Sequence, residues 1–167
     1  MNLALMLSGG GARAAYQVGF LRVLARKFPG IVPDILTGVS AGGINAAYLA
    51  ARQEPLREKV ENLAEIWRGI RIDHVFRVDL RDLASRSVRW GGRLLAGGKY
   101  PLRPARSMVD TDPLRELLAA MLEAVDGELA GIARSLQAGW LRAAALTASS
   151  YTTGQSVTWV QACEHCG

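Results

Sequence analysis

Two short apolar runs each end in a glycine-rich turn and give way at once to helical periodicity. That repetition constrains the fold more than any other feature of the chain. Asn2 to Leu7 is followed by Ser8-Gly9-Gly10-Gly11. Consecutive glycines would cost a helix about 1 kcal/mol each, so the run is expected to be a buried strand closed by a tight turn. From Ala12 the period changes. Ala15, Val18, Gly19, Leu21, Arg22 and Ala25 recur at helical spacing until Pro29-Gly30 stops them. Asp34 to Val39 forms a second apolar run, ending at Gly38-Val39-Ser40-Ala41-Gly42, and Ile44, Ala47, Tyr48 and Ala51 mark a second helix. Strand, turn and helix, twice over, predict an α/β fold with a mainly parallel sheet and helices packed on it.

The rest of the chain extends this scheme. Leu56, Val60, Leu63, Trp67 and Ile70 share one helix face. Asp112-Pro113 opens another helix, with Asp as N-cap and Pro at the first helical position, and Leu114, Leu117, Leu118 and Met121 form its apolar stripe. Asp126-Gly127 breaks that helix, and Ile132, Leu136 and Trp140 are expected on the next one. Leu141–Ser149 and Gln155–Val160 are expected as strands joined by the hairpin loop Tyr151-Thr152-Thr153-Gly154.

The chain has 167 residues, half of them apolar, which suits one domain spanning 1–167. Its formal charge of +5 is unevenly spread. Ile66 to Arg106 holds ten Lys/Arg against three Asp/Glu and lacks clear periodicity, so 66–106 is expected as a basic helical and loop insertion over the core. A basic block in an otherwise near-neutral protein suits an anionic surface. Ile35–Ala51 is uncharged for 17 residues, but Gly38, Ser40, Gly42, Gly43 and Asn45 argue for buried core rather than bilayer. No export signal or membrane span is evident, so the expected location is cytoplasmic, with peripheral membrane contact through the basic block.

Gly38-Val39-Ser40-Ala41-Gly42 has the G-x-S-x-G pattern where it carries mechanical meaning. A strand arrives, a sharp turn holds Ser40 in a strained conformation, and a helix leaves. The hydroxyl is then exposed near a helix N-terminus that favours developing negative charge. Gly9, Gly10 and Gly11 end the neighbouring strand, so their main-chain N–H groups are expected beside Ser40 as an oxyanion site. Each such donor is worth roughly 3 kcal/mol. Arg13 is expected to fix that loop by hydrogen bonding.

Leu7-Ser8-Gly9-Gly10-Gly11-Ala12-Arg13-Ala14-Ala15-Tyr16-Gln17 and Thr37-Gly38-Val39-Ser40-Ala41-Gly42-Gly43 together resemble the start of a patatin-like phospholipase domain, and Leu141–Thr158 resembles its central strand and hairpin. The resemblance implies a three-layer α/β domain and a lipid acyl hydrolase working through a Ser–Asp dyad. Ser40 is then the nucleophile, with Gly38, Ala41 and Gly42 forming its elbow, and Gly9, Gly10, Gly11 and Arg13 the oxyanion element. The implied partner is a lipid acyl ester, with no cofactor and no metal; nucleic-acid binding by the basic block has no recognition motif to support it. Ala14 stands where the family pattern most often has glycine. The family's aspartate belongs to an Asp-Gly-Gly or Asp-Gly-Ala turn well after the hairpin. None occurs before Gly167, which leads to the expectation of a fragment, incomplete at the C-terminus and lacking its catalytic Asp. Asp126-Gly127 precedes the hairpin and fits a helix break better than a dyad base.

Other readings attach to the same residues. Gly9-x-Gly11-x-x-Ala14 also fits a dinucleotide fingerprint, with Asp34 as the ribose acid, but Asp34 falls at the start of the second strand rather than its end. A Ser–His–Asp triad has only His74 and His165 to draw on. Cys163-Glu164-His165-Cys166 supplies at most half a zinc site. A non-enzymatic alternative is a lipid-surface module in which Trp67, Phe76, Trp90 and Tyr100 of the basic block meet anionic headgroups.

Overall fold

A computed structural model describes residues 3–71, 112–124, 126–150 and 153–163. The described residues follow the order β1 (Ala4–Leu7), a 3-10 turn (Gly11–Arg13), α1 (Ala14–Lys27), β2 (Ile35–Val39), α2 (Ala41–Ala51), α3 (Leu56–Gly69), α4 (Asp112–Leu122), α5 (Ala130–Gln137), β3 (Ala143–Ser149) and β4 (Ser156–Ala162). Most of the 66–106 stretch lies outside the described residues, as do Phe76, Trp90, Tyr100, His74 and His165; Ile66–Gly69 form the last turn of α3. The chain divides into two units, Met1–Gly69 with Leu118–Gly167, and Ile70–Leu117. The sheet and the candidate site belong to the first.

The sheet has the order β1-β2-β3-β4. β1, β2 and β3 run parallel, and β4 returns antiparallel to β3 as the expected hairpin. Leu7, Gly38, Leu146 and Trp159 lie across from one another, as do Leu5, Leu36, Ala144 and Gln161. Because successive strand residues alternate faces, both rows lie on one side of the sheet. Leu7, Leu36 and Ala144 from this side join Val18, Leu21, Leu49, Val60, Leu63 and Ile132 in the core, with Met121 of α4 at its margin. On the other side Met6 is 77% exposed and Val160 64%.

At the amino ends of the parallel strands, Asp34 stitches three of them together. Its carboxylate accepts from Leu3 N–H at 2.6 Å, and its N–H donates to Leu3 O. Its carbonyl accepts from the N–H groups of Arg142 and Ala143, at 2.7 and 3.3 Å. α1 is tied to α3 by Glu61, which accepts from both Arg22 and Arg26 at 2.8 Å. Those two hydrogen bonds hold the Glu61 carboxyl below its ordinary range.

One boundary differs from expectation. Trp140 is not on α5, which ends at Gln137. Gly139 takes a left-handed φ of 73°, its N–H donates to Leu136 O, and Trp140 N–H reaches back to Ser135 O at 3.0 Å. This is the paired hydrogen-bond pattern of a glycine helix stop, and it turns the chain toward β3.

Candidate active site

The carboxyl ends of β1 and β2 bring the two glycine turns together. A Cβ placed on Gly9 would lie 3.4 Å from Ser40 Cβ and 3.4 Å from Val39 O, so the first turn passes directly over the second. Ser40 is exposed at that junction. Its backbone sits at φ 53°, ψ −125°, a region that costs a residue with a side chain about 1–3 kcal/mol. Serine before a helix ordinarily accepts a hydrogen bond from the first turn, yet Ser40 makes no side-chain cap bond. The strained turn aims its hydroxyl elsewhere. The backbone is held from both sides: Ser40 N–H donates to Thr147 O of β3 at 3.0 Å, and Ser40 O accepts from Ile44 N–H at 3.2 Å.

The flanking glycines are there because nothing larger fits. A Cβ on Gly38 would stand 2.4 Å from Gly42 O. One on Gly42 would stand 2.3 Å from Ser8 O and 2.4 Å from Leu7 O. The first turn of α2 thus presses onto the end of β1, and Ala41 beside it is buried.

In the first turn, Gly11–Arg13 wind into one 3-10 turn in which Arg13 N–H donates to Gly10 O at 3.1 Å. Arg13 closes the loop through its main chain, and its side chain is exposed.

What holds the two turns in register is a polar network that sequence reasoning missed. Asn45, wholly buried one turn into α2, donates to Ala14 O at 3.1 Å and to Gln17 Oε1 at 3.4 Å. Its Oδ1 accepts from Trp67 Nε1 at 2.8 Å. Gln17 in turn donates to Ser8 O at 2.7 Å and Ser8 Oγ at 3.2 Å. Both ends of the glycine loop, Ser8 and Ala14, are therefore anchored to the helix that Ser40 opens. The available signal was an amide inside an otherwise apolar stretch, since a buried amide must find partners.

The remaining expectations separate from this site. Asp34 lies at the amino end of β2, the opposite end from Ser40, and its hydrogen bonds are those of a sheet stitch. The Asp126–Gly127 turn leads into α5, where Gly131 packs against Ala51 at the end of α2 farthest from Ser40. Cys163 is engaged in a disulfide, which removes its thiolate from a zinc site. No group of three His, Cys, Asp or Glu suited to a metal occurs among the described residues. Trp67 is half-buried and bonded to Asn45, so it belongs to the core network rather than to a headgroup-facing surface.

The profile described as "Patatin-like phospholipase" matches residues 5–157, from the first strand to the closing hairpin. The chain belongs to the patatin-like phospholipase family. The patatin-like match covers both glycine turns and the strands that carry them, and the mostly parallel sheet flanked by helices agrees with it. It ties this chain to lipid hydrolases, whose substrates are lipids. None of the curated proteins or solved structures compared with it matches significantly. No helix among the described residues is long and apolar enough to cross a membrane.

Proposed function

We propose that this patatin-like chain carries the nucleophile half of a serine-dependent lipid acyl hydrolase. Ser40 Oγ attacks the acyl carbonyl, and the main-chain amides of Gly9, Gly10 and Gly11 stabilise the oxyanion, with Arg13 holding their loop. The hydroxyl proton passes to a carboxylate base and then to the departing alcohol; water afterwards releases the fatty acid from the acyl-serine. The observation that carries this reading is the close approach of Gly9 to a Ser40 that is exposed, strained and uncapped. Flexible glycine turns with no task would have no reason to keep a serine at φ 53°.

The base that the family resemblance implies is an aspartate in an Asp-Gly-Gly or Asp-Gly-Ala turn, and no such turn occurs among these 167 residues. General bases contribute about 10²–10⁴ in rate, so the chain alone should turn over very slowly. A fluorophosphonate is expected to label Ser40 sluggishly here and about a hundredfold faster in a chain extended through such a turn. Ser40→Ala should abolish labelling in both, as read by mass spectrometry of the modified peptide. Labelling at another residue, or ester cleavage undiminished in Ser40→Ala, overturns the assignment. The absence of that turn from these residues also favours a second reading, an inactive lipid-surface module; it predicts lipid binding and no labelling even in the extended chain.

A further inference from the structure

α1 has a solvent face that the fold leaves unused. Ala14, Val18, Leu21 and Ala25 are its buried residues, while Tyr16, Phe20 and Val23 are 81%, 57% and 62% exposed. At about 100° per residue, Arg13, Tyr16, Phe20, Val23 and Lys27 fall within an arc of about 80°. They form an apolar stripe with an exposed cation at each end. Single exposed apolar residues need no explanation, but three on successive turns of one helix do. The charges that α1 and its flanking turns carry are all basic. No Asp or Glu occurs from Ser8 to Pro33, and Glu61 is shared by Arg22 and Arg26.

We propose that this stripe docks the protein on an anionic lipid bilayer. Phe20 and Val23 enter the acyl boundary, Tyr16 sits at headgroup depth, and Lys27 and Arg13 meet the phosphates, which is the division of labour of an interfacial amphipathic helix. The location fits the task. Tyr16 lies less than one turn from the glycine loop, and its neighbour Gln17 is bonded to Ser8, so the stripe begins at the rim of the candidate site. The choice of a bilayer over other apolar partners rests on the lipid hydrolase reading above.

The test is co-sedimentation with phosphatidylcholine vesicles with and without phosphatidylglycerol, at low and high salt. The chain is expected to sediment with the anionic vesicles and to be released by salt. The Phe20→Glu/Val23→Glu variant should lose at least about tenfold in partition, and Lys27→Glu about fivefold, the latter only on anionic vesicles. Circular dichroism checks that both stay folded; neither replaces a buried residue. Sedimentation of Phe20→Glu/Val23→Glu equal to that of the unaltered chain, or equal partition into neutral and anionic vesicles, overturns the proposal. So does loss of self-association, rather than of vesicle binding, in the double variant. Ser40→Ala should sediment normally. If fluorophosphonate labelling fails while these partition changes hold, the hydrolase reading falls and the docking surface stands; the reverse pattern removes the docking surface alone.

Discussion

α1 and α2 each follow a parallel strand and a glycine-rich turn, yet they are used in opposite ways. In α2, nine of eleven residues are buried, Asn45 among them, and its first turn touches the end of β1 through Gly42. In α1, four of fourteen are buried, and an apolar stripe faces solvent. The helix that must hold a strained serine still is packed on every side. The helix that follows the open glycine loop is packed on one side only, and hydrogen bonds from Asn45 and Gln17 fix its first turn. Precision at the candidate site is thus lent by the buried helix to the exposed one.

If that contrast is right, the same substitution should have opposite signs in the two helices. Gly42→Ala has the largest expected effect. Its methyl group would collide with two main-chain oxygens, a loss of about 3 kcal/mol or more, visible as loss of soluble folded protein or of the denaturant transition. Asn45→Ala comes next. It removes the acceptor of the half-buried Trp67 Nε1 and the tie from α2 to Ala14 O, a loss of about 1–3 kcal/mol in urea unfolding. Smallest is Gly19→Ala on α1. A Cβ there meets nothing within 4 Å, so ordinary helix propensity applies and the variant should gain about 0.5–1 kcal/mol, read as a raised Tm. Equal tolerance of Gly42→Ala and Gly19→Ala would dissolve the comparison.

The elements that position the site were legible because their signals are local. Gly9, Gly10 and Gly11 announce the first turn and Gly38 and Gly42 the second, and the periodicity after each gives α1 and α2 to within a few residues. The apposition of Gly9 and Ser40 follows once two parallel strands are neighbours. What stayed hidden depends on distant partners. Asn45 argues in the sequence only for core over bilayer, and Trp67 reads as one aromatic on a helix face; only the meeting of α2 and α3 makes them a donor–acceptor pair. Trp140 was misjudged because 3.6-residue spacing continues across Gly139, whose left-handed backbone carries no mark in the apolar pattern.

Asp34 lies as far from Ser40 as β2 allows, yet it bears on where that hydroxyl emerges. One side chain and its own peptide group grip the beginnings of β1 and β3 on either side. Strands that start level finish level, and a slip by one residue would invert which side of each strand meets the core. The tips that carry Gly9, Ser40 and Thr147 O therefore arrive at a common height because their opposite ends were fastened there.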